Sequence, residues 1–539
     1  MFFGFFLSKT AYCDNPITMD PREARSTGYS IFSSTLEIKP KTVGRPRFDP
    51  YHKVLSRFYE PLVLLRLLGQ SRGNHQPKPH DVNAGQAVRR DFLRNLSYIC
   101  DFEKGGDTCT AIGLADLGAC YRLYVASNKG QAKIAEFLKA VLGLLHELNE
   151  VPGSELPQKE AEFVKFCVDF AEKRVRKEKN CLFRAVDACS RKLSHSATIE
   201  AERLRKWLRS LLSHDDNLTL CTFAYETRHS PILSWLQSIR QENLLSPDIE
   251  CDPFGLVRHY IGRLAHHIRA SKELVKAVTD MSQILESCEV SAVDHIAPVP
   301  PPAPDRHTNL DGILNRMLGK GHDERLDIEH GLSKINAANR LFDRFPGEYR
   351  NLKPRIHAEV QILEHFHRYQ IQFTENDRFV ACSKAACLCC EMYFKHHPAR
   401  MIVPESHRNV WTNWGPPLVE NFSKSHGAGR QQLHILNKVI HEIRNLVISQ
   451  ALGQSSVGQR RPDSKTEITD LHSLGYTPAP INVSEKSSMV MSKDTPIEKQ
   501  NQQLKNQARG PPISPGFLTH NNEESDGEGG GVSIQAWMH

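Results

Sequence analysis

The strongest constraint on how this chain can fold is a pair of short motifs set a fixed distance apart. His357-Ala358-Glu359 is followed by Cys387-Leu388-Cys389-Cys390, a Cys-x-x-Cys pair, with 387 − 357 = 30 residues from the first candidate donor to the second. One imidazole and two thiolates can hold a zinc ion and leave a fourth position open to water, and a glutamate two residues past the histidine can move that water's protons. For the three donors to meet, the residues between them must fold back, and they read as helix, turn, strand, turn. Val360, Leu363 and Phe366 return at helical spacing, which puts His357 and Glu359 in the first turn of an amphipathic helix. Pro354 favours an extended approach to that helix. Thr374-Glu375-Asn376-Asp377 reads as a polar turn and Arg378 to Cys382 as a short apolar strand. A second helix is expected from near Cys387 through Met392, Tyr393 and Phe394 until Pro398. Unpaired N–H groups and the helix dipole at such starts favour thiolate, the form that binds metal.

The order H-x-E, strand, C-x-x-C resembles the zinc-dependent cytidine and adenosine deaminases. More narrowly, three stretches are similar to a large, fungus-rich, little-characterised family of deaminase-like proteins. They are the run His357 to Leu363, Cys382-Ser383-Lys384 ahead of Cys387 and Cys390, and Asn413-Trp414 before Pro416-Pro417. The resemblance covers residues 310 to 450. It implies an α/β (α+β) cytidine deaminase-like domain, a mixed sheet flanked by helices with the metal held between two helix starts. It also implies Zn2+ on His357, Cys387 and Cys390, and Glu359 as the proton shuttle in hydrolytic deamination of a cytosine or adenine base, whether in a nucleoside, a nucleotide or a nucleic acid. One departure is visible: Ala386 stands where many deaminases have proline before the first cysteine.

The competing reading is a purely structural zinc site, closed by a fourth thiolate from Cys382 or Cys389, in a catalytically silent scaffold or interaction module. Cys389, two residues past a donor on a helix, should point away from the metal into the core. Glu359 favours catalysis, because a structural site has no need of a carboxylate there. Trp411 and Trp414 offer aromatic faces on which a base can stack, with core packing as the alternative. Trp414, inside the family-like stretch, is the candidate substrate-binding residue. His396-His397, at a helix end before Pro398, read as solvent-facing. His146-Glu147 and His441-Glu442 lack the second histidine of a metalloprotease motif, and Gly319-Lys320-Gly321 lacks the rest of a phosphate loop.

Elsewhere the 539 residues divide by composition. Segment 1–50 reads as a disordered N-terminus, 51–292 as a large all-helical region, 293–309 as a stiff proline-rich linker, 310–452 as the deaminase-like zinc domain, and 453–539 as a disordered tail. Ile199 to Leu212, Gly130 to Leu148 and Val257 to Leu285 are examples of helical periodicity in the second segment. Fourteen cysteines without a regular framework fit a reducing, intracellular compartment, cytoplasm or nucleus. The apolar start, Met1 to Leu7, has no basic flank and is too short for a signal peptide or a membrane span. A net charge of +7 permits RNA or single-stranded DNA as the partner carrying the nucleobase, but it does not demand one.

Overall fold

Four short strands tie the metal-motif segment to residues far upstream of it. The computed structural model describes residues 49–454 apart from 78–82, 195–197, 244–252, 320, 421 and 424, so the expected disordered ends lie almost wholly outside the described residues. The chain begins with helices α1 (Pro50–Leu67) and α2 (Ala84–Cys100), then strands β1 (Thr110–Asp116) and β2 (Tyr121–Ser127). Seven helices follow: α3 (Gln131–Glu150), α4 (Leu156–Phe170), α5 (Glu172–Leu193), α6 (Ile199–Leu212), α7 (Asn217–Thr227), α8 (Pro231–Asn243) and α9 (Pro253–Lys276). Short α10 (Ser282–Glu286) leads to β3 (Cys288–Ala292), and α11 (Leu310–Met317), α12 (Arg325–Asn339) and α13 (Leu341–Arg350) come next. The last part is α14 (Ala358–Tyr369), β4 (Val380–Cys382), α15 (Leu388–His396) and α16 (Gly427–Ala451).

The sheet order is β3-β2-β1-β4, with β1 antiparallel to both β2 and β4, and β2 parallel to β3. This is the expected mixed sheet flanked by helices. The expectation that 51–292 is all-helical needs correcting, since that stretch is largely helical but supplies three of the four strands, both central ones included. The reason is burial. Residues 110–115 of β1 are buried on both faces, so no polar–apolar alternation marks the strand. The β1–β2 turn is closed by the Leu117 N–H donating to the Cys120 carbonyl at 3.0 Å, with Gly118 at φ 79°, a backbone region that favours glycine. The proline-rich stretch is likewise packed rather than free. The Val299 N–H donates to the Pro416 carbonyl at 3.0 Å, and the Tyr59 hydroxyl donates to the Val299 carbonyl at 2.8 Å.

The two faces of the sheet are built differently. Ala111 and Ala115 of β1 and Ala126 of β2 face a core formed with α1, α14, α15 and α16. Ile112 and Leu114 of β1 and Leu123 and Val125 of β2 face a second core with α2, α3 and the end of α9. Small residues on the first face let α14 come close. A Cβ added at Gly113 would lie 2.7 Å from the Phe366 ring and 2.9 Å from Ile362. A third core, made from α4 to α9, is purely helical. Helix α9 serves both, with Phe254 to Ile268 in the helical core and Ala270 to Val275 under the sheet.

Candidate metal centre

His357 is the N-cap of α14 and Cys387 the N-cap of α15, both with extended backbone, and Cys390 follows in the first turn of α15. The expected helix starts are therefore where the donors sit. His357 Nδ1 lies 3.6 Å from Cys387 Sγ and 3.3 Å from Cys390 Sγ, and the two sulfurs are 3.5 Å apart. An ion about 2.3 Å from sulfur and 2.0 Å from nitrogen, at tetrahedral angles, needs donor–donor edges of roughly 3.5 to 3.8 Å. The triangle fits such an ion, and these three residues form the one metal-competent group among the described residues.

The electrostatics agree with the geometry. Burial alone would lower the His357 imidazole, but the Cys387 thiolate beside it outweighs burial and raises its pKa to about 9. Burial would raise the Cys387 thiol, but hydrogen bonding from Cys390 and the His357 charge bring it down to about 6. Both shifts favour thiolate beside imidazolium in the metal-free pair, and a cation taken up here would displace the imidazole proton.

Glu359, in the first turn of α14, is only 4% exposed. The Cys382 thiol reaches its Oε2 at 3.9 Å and lies 3.6 Å from Cys109 Sγ. Neither Cys382 nor Cys389 joins the donor triangle: the first faces the carboxylate, and the second is fully buried in the α1–α16 core.

Trp414 is brought to the centre, but not as a stacking surface. Its ring is fully buried between Phe58 and Tyr393, and its indole N–H donates to Cys390 Sγ at 3.2 Å. No face is left for a base, because the indole fills the core behind α15. The neighbouring Asn413 carbonyl accepts from the Arg355 N–H at 2.8 Å, which pins this stretch beside the approach to His357. The pair His396-His397 also differs from the solvent-facing expectation. His397 is 3% exposed and sits 3.3 Å from the Glu364 carboxylate, while His396 meets Glu442. Ala386, the departure from the deaminase pattern, has a use for its N–H: it donates to the Glu405 carbonyl at 2.8 Å, a bond proline cannot make.

Several residues close to the centre carry no local signal in the sequence. Cys109 comes from the residue just before β1, and Asp101 from the C-cap of α2. Ser383 donates to Asp101 Oδ2 at 3.2 Å across 282 positions, and Lys384 lies 3.3 Å from the same oxygen. Arg174 and Lys384 outweigh the effect of burial and hold the Asp101 carboxyl below its usual range, Lys384 contributing the more. Arg174 in turn meets Glu178, which also takes Arg263 at 2.7 Å and His267 at 3.2 Å, all within a dry interior. Burial would raise the Glu178 carboxyl, but Arg263 and Arg174 hold it well below the ordinary range.

A helix start carrying His and Glu, a strand, and a helix start carrying two cysteines around one metal-competent triangle make this a deaminase-like domain. Residues 356–418 match the family model described as "OTT_1508_deam:-like deaminase". Neither a curated protein nor a solved structure matches the chain. No helix among the described residues is long and apolar enough to cross a membrane.

Proposed function

We propose that this protein is a zinc-dependent hydrolytic deaminase acting on a cytosine or adenine base. The observation that carries the reading is the buried Glu359 carboxylate two residues from His357, which a purely structural metal site would not need. Zinc, when bound, supplies Lewis-acid activation of water. His357, Cys387 and Cys390 would hold it, with the Trp414 N–H fixing the Cys390 sulfur from behind. Glu359 takes a proton from the attacking water and returns protons to the ring nitrogen and to the departing ammonia. The ring carbon gains an oxygen and loses its amine, so no redox partner is required. The fourteen cysteines, with no regular framework, fit the reducing, intracellular setting expected from the sequence.

The test is ammonia release by the zinc-loaded protein over a screen of nucleosides, nucleotides and short oligonucleotides, beside Glu359→Ala. The parent should release ammonia from at least one substrate, and the variant should be about 100-fold slower or worse at equal metal content. One zinc per chain with no product across the screen would instead identify a zinc-stabilised scaffold.

A further inference from the structure

Lys384 belongs to the loop between β4 and the Cys-x-x-Cys helix, three residues ahead of Cys387, and it also lines a cavity of about 380 Å³ on the side of α5. Lys104, Lys177, Arg184 and Arg263 line the same cavity, and no carboxylate does. Five cations therefore share one concavity, within the usual volume range of about 300 to 1,000 Å³ for small-molecule sites.

The charges below the surface are only partly balanced. Lys384 has Asp101 behind it and Arg263 has Glu178. The Lys104 ammonium donates to the Tyr260 hydroxyl at 2.9 Å and to Cys181 Sγ at 3.6 Å, with the Tyr260 ring 4.3 Å away, and no carboxylate lies within ion-pair distance of it among the described residues. Lys177 and Arg184 project from α5 seven residues apart, on one helix face with Cys181 between them, and have no acidic partner among the described residues. Like charges gathered in one concavity repel one another, and an anion with several oxygens relieves that repulsion while accepting from ammonium and guanidinium together.

The cavity is also wired to the metal centre. From Cys382, whose thiol touches Glu359, the chain passes through Ser383, bonded to Asp101, to Lys384 in the cavity wall. We propose that this cavity is a phosphate subsite, holding a phosphate monoester or phosphodiester of the nucleotide whose base is presented to Glu359. The assignment rests on the nucleobase reading above for the rest of the ligand, and on the cavity alone for the phosphate.

Binding is tested without turnover, in the zinc-loaded full chain carrying Glu359→Gln. The probes are a nucleoside, its 5′-monophosphate, and labelled short single-stranded RNA and DNA. Lys177→Glu/Arg184→Glu, at exposed positions, should weaken phosphate-bearing probes by about 10-fold or more and leave nucleoside binding unmoved. For an oligonucleotide, the slope of log affinity against log salt should flatten by about 1 for each residue reversed. Loss confined to the monophosphate identifies a free nucleotide as the source, and loss confined to the oligonucleotides identifies a polynucleotide. Lys177→Ala/Arg184→Ala should give the same ranking with a smaller loss. Equal binding of phosphate probes by parent and double variant, or no binding of any phosphate probe by the parent, overturns the subsite and leaves the deaminase reading intact. Charge-dependent phosphate binding with no ammonia release in the parent keeps the subsite and removes the deaminase reading.

Discussion

The candidate metal centre and the basic cavity share a loop, yet they are assembled in opposite ways. All three candidate metal donors come from one stretch of 34 positions and meet because two helix starts converge. The cavity draws one cation each from the loop after α2, from α9 and from the β4–α15 loop, and two from α5. A site built from one segment survives changes elsewhere in the fold, while one built from four depends on the interior that aligns them. Here that interior is the fully buried cluster of Asp101, Arg174 and Glu178.

The largest effect should come at the metal centre itself. Cys390→Ala removes a donor, so metal content should fall from one per chain to near none and any deaminase activity with it, while the far-ultraviolet spectrum still reports the helices. Metal retained at full occupancy would break the contrast, since the donor set would not then be local. Next, Glu178→Ala leaves Arg263 and Arg174 short of a counter-charge in a dry site, which should cost about 3 to 5 kcal/mol in denaturant unfolding. Zinc measured in the surviving folded fraction should stay at one per chain. A variant that lost metal along with stability would show the two sites to be one cooperative unit. Trp414→Phe keeps the packing but deletes the donor to Cys390, and zinc affinity from competition with a chelator should drop about 10-fold or somewhat more. Gly113→Ala pushes a methyl group against Phe366 and Ile362, at a cost of about 1 to 3 kcal/mol by thermal or denaturant unfolding. Unchanged stability there would mean that α14 is free to shift on the sheet.

The same local-versus-distant division explains what could be read from the sequence. The His357 and Cys387 helices and the strand ending at Cys382 announce themselves because donors, apolar spacing and turn residues lie within a short window. The central strands do not. β1 presents Ala111, Gly113 and Ala115 to one core and Ile112 and Leu114 to the other, so neither period 2 nor period 3.6 emerges. Trp414 looks like a stacking aromatic in the sequence because aromatic type is visible there and burial is not. Lys384 is legible only as a neighbour of the motif, since its meaning depends on Asp101 and Arg263, more than a hundred positions upstream.

Helix α9 gives this arrangement a mechanical property. Its 24 residues make a rod of about 36 Å, gripped at one end by the helical core and at the other by the sheet core. A hinge between those two cores would have to break the rod or slide a packed face along it. The span from the helical lobe to the sheet is thus ruled off in helical turns, and a one-turn deletion would shorten it by about 5.4 Å rather than loosen it.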